Sequence, residues 1–161
     1  MNNTKAYEQD NIFKKIIMGQ APCFKVYEDQ NVLAFMDIFP ESKGHVLVVP
    51  KLDAQNIFDI PAQELGSLMT KVQKIAQAVS EALNPDGIKI MQYNGAEASQ
   101  TVFHLHFHIV PCYAGLPLRE HNTVEADKAE LQSIALQISE KIKGDASNGS
   151  ASALHEVKIP S

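Results

Sequence analysis

Tryptophan is missing from this chain of 161 residues and cysteine nearly so, with only Cys23 and Cys112. Two cysteines so far apart make neither a disulfide framework nor a Cys-x-x-Cys metal clip, so a reducing, cytoplasmic setting is expected. No apolar run is long enough to span a bilayer, and Met1-Asn2-Asn3-Thr4-Lys5 lacks the pattern of a signal peptide. Basic charge is also short: Lys and Arg number 14 against 19 Asp and Glu, for a net charge of −5. That balance argues against broad, charge-driven binding to nucleic acid, while leaving room for a small phosphate pocket. No Gly-x-Ser-x-Gly is present, so a serine nucleophile elbow is not expected.

The chain is long enough for one domain with a real core. Residues 1–10 read as a flexible arm, 11–144 as a single folded domain, and the Ser, Ala, Asn and Gly-rich residues 145–161 as a tail without fixed structure. Asn11 caps a short helix with Ile12, Phe13, Ile16 and Ile17 on one face, stopped by Gly19. Strands are predicted at Phe24–Glu28, Val32–Asp37, His45–Val49 and Ile88–Tyr93. Between the last two, Leu65, Leu68, Met69, Val72, Ile75, Val79 and Leu83 recur at helical spacing. That long helix starts near Pro61 and ends before Asn84-Pro85-Asp86-Gly87. Leu131, Ile134, Ala135, Ile138 and Ile142 mark a C-terminal helix closed by Gly144. Short loops between strands favour antiparallel pairing, and the class is α+β.

What the chain does have is His104, His106 and His108 at alternate positions of Phe103-His104-Leu105-His106-Phe107-His108-Ile109-Val110-Pro111. A strand here would project all three imidazoles from one face, with Leu105, Phe107 and Ile109 on the other. Imidazole titrates near neutrality and serves as nucleophile, acid, base or metal ligand. Metal binding by the three histidines is one reading. Nucleophilic attack on phosphorus is a second, with the neighbouring imidazoles stabilising phosphoryl oxygens. A histidine base serving a Ser or Cys nucleophile is a third, with only Cys112 at hand. The preceding loop, Asn94 to Thr101, is rich in small and hydrogen-bonding residues that suit an anionic group. His121 and His155 show no pattern and default to the surface.

His104-Leu105-His106-Phe107-His108-Ile109-Val110 resembles the signature of the histidine triad superfamily of nucleotide hydrolases and transferases, most closely its small bacterial and fragile-histidine-triad-like branch. The resemblance extends from Asn11 to about Tyr113, through Val32-Leu33-Ala34-Phe35-Met36-Asp37-Ile38 and Gly44-His45-Val46-Leu47-Val48-Val49-Pro50-Lys51. It implies a five-stranded antiparallel sheet with a long crossover helix and short N-terminal and C-terminal helices, paired as a homodimer. It implies His106 as the nucleophile, with His104, His108 and His45 around it. Asn94, Gln100 and Thr101 would contact phosphate or leaving group, Asp37 the ribose, and Ile12, Phe13, Phe35, Ile38 and Leu47 the base. The substrate would be a purine nucleotide conjugate, a phosphoramidate or a dinucleoside polyphosphate, and no cofactor would be required. A binding module without turnover, or a histidine-cluster metalloprotein, is the alternative.

The chain departs from that pattern in places. Some relatives hold a structural zinc with a Cys-x-x-Cys and two histidines, which the resemblance equates with His45 and His104. Here the cysteine positions carry Asn11 and Lys14, so no zinc is expected. Asp53 replaces a histidine common after Pro-Lys, and a C-terminal tryptophan contact to the leaving group has no counterpart.

Overall fold

In the computed structural model the backbone is described for residues 5–121 and 123–156, and the side chains as far as residue 144. Five strands form one antiparallel sheet in the order β1-β2-β3-β5-β4. They are β1 (Lys25–Glu28), β2 (Val32–Met36), β3 (Val46–Pro50), β4 (Gly87–Met91) and β5 (Phe107–Cys112). Three helices accompany them: α1 (Ile12–Ile17), α2 (Ala62–Leu83) and α3 (Lys128–Glu156).

Local signals account for most boundaries. The side chain of Asn11 accepts the N–H of Lys14 and caps α1, satisfying a first-turn donor that the helix itself cannot. Asp29 Oδ1 accepts the N–H groups of Asn31 and Val32 and turns β1 into β2. Asn84 adopts a left-handed conformation at φ 47° and ends α2, a geometry asparagine tolerates better than most residues. Helix α3 continues past Gly144, where the sequence placed its end. A single glycine costs a helix only about 1 kcal/mol relative to alanine, too little by itself to stop it. Its buried face is the expected one, Leu131, Ile134, Ala135, Ile138 and Ile142. Of the expected tail, residues 157–161 lie outside the described residues.

The sheet has two differently built faces. Val46, Val48, Phe107 and Ile109 join Leu68, Val72, Ile75 and Val79 of α2 and Ile134 and Ile138 of α3 in the main core. Leu33, Phe35, Leu47 and Val49 point the other way and pack with Phe13 of α1 in a smaller cluster. The register sets Phe35 opposite Leu47 and Leu47 opposite His108. The histidines therefore share the α1 face, not the α2/α3 face.

Strand β5 begins later than the sequence suggests. It pairs with β3 only from Phe107 onward, so His104 and His106 lie in the segment leading into it. The next β3 residues end at Pro50, which has no N–H and whose carbonyl accepts from His104 Nε2 at 2.7 Å. The alternation nevertheless persists, with Leu105 fully buried in the main core beside Phe107 and Ile109.

Candidate active site

The partners of each ring nitrogen determine its tautomer. The Nδ1 of His106 lies 2.7 Å from the carbonyl of His104. A carbonyl only accepts, so Nδ1 carries the proton and Nε2 keeps its lone pair. His45 Nδ1 accepts the peptide N–H of Glu41 at 3.0 Å. Its proton is therefore on Nε2, 3.0 Å from His108 Nδ1. His108 Nδ1 then accepts and His108 Nε2 is an N–H. That atom is buried with no partner. His104 gives its Nε2–H to Pro50 and receives the Tyr7 hydroxyl at Nδ1.

Burial holds all four rings neutral. Loss of water pushes His106 down to about 4 and His45 down to about 3. His104 and His108 are lowered for the same reason, His108 with further repulsion from His106 and His45. A neutral imidazole with a free Nε2 is the form that attacks an electrophile.

Two of these rings border a cavity of about 410 Å³, within the size range of small-ligand sites. His106 and His108 line it together with Ile12, Phe13, Phe35, Ile38, Leu47, Asp37 and Thr101. Every apolar residue assigned to the base thus meets in one place. The Phe13 ring stands edge-on to His106, centroids 4.8 Å apart. Asp37 Oδ1 accepts the N–H of Phe39 at 2.8 Å, while Oδ2 lies 3.5 Å from His45 Nε2. Burial raises this carboxyl to about 6.

Two residues expected to touch substrate are bonded within the protein instead. Gln100 accepts the N–H of Gly95 and donates to the carbonyls of Gln55 and Val102. Asn94 Oδ1 accepts the N–H of Ile57, and its amide exchanges bonds with Gln92. Both shape the loop ahead of the triad, and of the three expected contacts only Thr101 lines the cavity.

The structure adds side chains that the sequence did not flag. His121, assigned to the surface, lines the cavity, with its ring 5.5 Å from that of His108. Its Nδ1 is buried without a hydrogen bond, 3.8 Å from Asp37 Oδ2 and 3.9 Å from Glu41 Oε2. Tyr93 places its ring 5.3 Å from His108. Tyr7, in the expected flexible arm, bonds His104, and Gln9 and Lys5 of the same segment bond Asp53 and Gln55. No motif in the sequence joins these positions.

The residues do not fit the structural zinc of some relatives. His45 stands just before β3 and His104 bonds the last residue of that strand. Five residues of strand, about 16 Å, separate those positions, too far for one ion. Asn11 is engaged as a helix cap and with Tyr7, and Lys14 pairs with Asp53 at 2.5 Å. Asp37, His45 and His108 also cluster closely enough to suggest a metal. There, however, His45 Nε2 must be an N–H because its Nδ1 receives the Glu41 amide, and a protonated nitrogen is no ligand.

The HIT domain profile matches residues 18–115. The chain belongs to the HIT family. It is 44% identical over 102 residues to Protein hit of Bacillus subtilis, covering 63% of this chain and 70% of that one. It is 36% identical over 138 residues to adenosine 5'-monophosphoramidase hnt1 of Schizosaccharomyces pombe, covering 82% and 98%. Among solved structures, a HIT-like protein from Bartonella henselae superposes with a TM-score of 0.79 at 42% identity, covering 85% of this chain and 99% of that one. A zinc-bound HIT protein from Mycobacterium smegmatis gives 0.76 at 32% identity, covering 87% and 98%. The expected family and the five-stranded α+β fold are both established.

Proposed function

We propose that this HIT protein hydrolyses nucleotide conjugates by transferring a nucleoside monophosphate to His106. The observation that carries the reading is the tautomer pair: a lone pair on His106 Nε2 and an unpartnered N–H on His108 Nε2, both rings on one cavity. His106 Nε2 forms a bond to the α-phosphorus, and the bond from phosphorus to the leaving group breaks with its electron pair. His108 Nε2–H donates to a phosphoryl oxygen as charge builds there. Water then supplies hydroxide to phosphorus and a proton to the departed group, and His106 recovers its lone pair. The family names support this class, since relatives include the monophosphoramidase above and an adenylylsulfatase, HINT3, of Arabidopsis thaliana.

Ile12, Phe13, Phe35, Ile38 and Leu47 would hold a purine, and Asp37 Oδ2 with His121 Nδ1 would hold a ribose hydroxyl. A hydroxyl placed between those atoms donates to the carboxylate and accepts from the ring, which their 3.8 Å separation permits. No step needs a metal, so chelation should leave the rate unchanged. A second copy of the chain would pair along β4, whose outer edge has no strand partner among the described residues and where Ile90 is 43% exposed.

Adenosine 5'-phosphoramidate and diadenosine polyphosphates test the reading, with His106→Ala as the control. Turnover of either by the parent, and a loss of at least about a thousandfold in the variant, is expected. Equal rates for the two proteins would remove His106 as nucleophile. AMP binding without turnover of any conjugate would favour a binding module.

A further inference from the structure

The segment ahead of α1 completes the triad. We propose that Tyr7 is a positioning residue: its hydroxyl holds Nδ1 of the His104 ring, whose tautomer the Pro50 carbonyl sets, and through the His104 carbonyl it holds the orientation of His106. The inference rests on the functional reading for its kinetic consequence but not for its geometry.

Each hydrogen bond in the chain has a forced direction. Asn11 Nδ2 donates to the Tyr7 oxygen at 2.9 Å, so the phenol accepts there and has its own proton left to give. That proton goes to His104 Nδ1, which is free to accept because Nε2 carries the ring proton toward Pro50. The His104 ring is thus held at both nitrogens, one by the N-terminal segment and one by the end of β3. The same residue offers its carbonyl to His106 Nδ1. Freeing either ring nitrogen frees the peptide that aims the nucleophile.

Tyr7 is also anchored on its own account. Gln9 donates to Asp53 at 2.8 Å, Asp53 receives Lys14 of α1, and Lys5 offers its carbonyl to Gln55. Gln55 in turn offers its backbone carbonyl to Gln100, which shapes the loop before the triad. The bonds converge on the residues flanking the triad, as supporting groups do around a working histidine. Asn11 adds a second link, since it caps α1 and α1 carries Phe13 against His106.

Tyr7→Phe keeps the ring, which packs edge-on to His104 at 5.6 Å, and removes only the donor. Nitrogen-15 spectra of the imidazoles in the full-length protein read the result without any substrate. In the parent, His104 should show the Nε2–H form with a hydrogen-bonded Nδ1. In Tyr7→Phe the Nδ1 resonance should move and His104 should titrate at a higher pH, because nothing then occupies its lone pair. With adenosine 5'-phosphoramidate, kcat should fall about tenfold, the scale of one lost hydrogen bond, with KM within about twofold. An unchanged His104 spectrum would overturn the proposal, as would a changed KM at constant kcat. If Tyr7→Phe fails to fold, biosynthetic 3-fluorotyrosine makes the phenol a stronger donor without changing its shape, and the same resonance must shift or the proposal fails. A moved His104 signal in a protein with no turnover would retain the latch and remove the functional reading.

Discussion

His45 Nε2 lies 3.0 Å from His108 Nδ1, and the direction of that bond is set by a backbone amide two bonds away, the N–H of Glu41 on His45 Nδ1. The consequence is a one-way relay of hydrogen bonds from the β2–β3 connection to the cavity. A side chain that keeps the sense of the relay should be tolerated better than one that removes it. His45→Leu leaves the Glu41 N–H and His108 Nδ1 buried without partners, a cost of about 1–3 kcal/mol each. We expect its activity to fall about 10- to 100-fold. His45→Gln accepts with its oxygen and donates with its nitrogen and should retain more activity. Steady-state rates and urea midpoints for the pair decide it; equal losses would show that the relay's direction is immaterial.

The neutral histidine cluster should make the fold acid-sensitive. In the unfolded chain each histidine takes up a proton near pH 6.5. Folded His106 resists until about 4 and His45 until about 3. The unfolded state therefore binds more protons as the pH falls below 6.5, and stability drops by up to about 1.4 kcal/mol per pH unit for each such ring. Asp37 acts in the opposite direction, since its folded carboxyl is raised to about 6 and gains its proton before the unfolded one. One carboxyl offsets one imidazole of several. Urea midpoints at pH 7.5, 6 and 5 should decline in order. A midpoint that holds steady from pH 7 to 5 would contradict the buried, neutral assignment.

Gly44 should not accept a side chain. Its φ is +94°, and a Cβ there would sit 2.2 Å from Leu83 Cδ1 and 3.2 Å from Pro111 Cγ. The leucine end can rotate away, but the proline ring cannot, and the backbone strain remains. Gly44→Ala is expected to cost about 1–3 kcal/mol and, one residue before His45, to slow turnover as well. Thermal unfolding with activity on the same samples tests this; full stability in the variant would mean the loop relaxes freely.

His121→Ala should act on binding. Removing the ring deprives a ribose hydroxyl of one partner while leaving the triad in place. We expect KM for adenosine 5'-phosphoramidate to rise about fivefold, with kcat within about twofold. The effect should vanish for the 2',3'-dideoxy substrate. An equal KM change on both substrates would place His121 away from the sugar.

Local chemistry wrote most of this fold into the sequence, and the exceptions share a cause. Asn11 as a cap, Asp29 in a turn and the α2 stripe each depend on near neighbours, and each stands as expected except Met69, which helical spacing put in the stripe and which the structure leaves exposed. The residues that the family pattern assigns to a base were legible in the sequence, and Ile12, Phe13, Phe35, Ile38 and Leu47 do line one cavity. Tyr7 and His121 were not legible, because neither sits in a periodic run and each matters through distant partners. The late start of β5 was hidden for a related reason: Pro50, on another strand, decides where the ladder stops. Equating a zinc site with His45 failed on distance along β3, which spacing within the triad could not reveal. Asn94 and Gln100 looked like ligand contacts by residue type, yet their side chains bond Ile57 and Gln92, and Gly95, Gln55 and Val102, and neither lines the cavity.

The bond from Tyr7 to His104 joins residues 97 positions apart. A contact of that span closes late, since the entropy of a long loop must be overcome before the contact contributes. During synthesis the arm emerges ahead of the triad and waits for it, while α2 and the first three strands can already pair. Chemical competence would then be among the last properties the chain acquires as it folds and among the first lost when the segment ahead of α1 is removed.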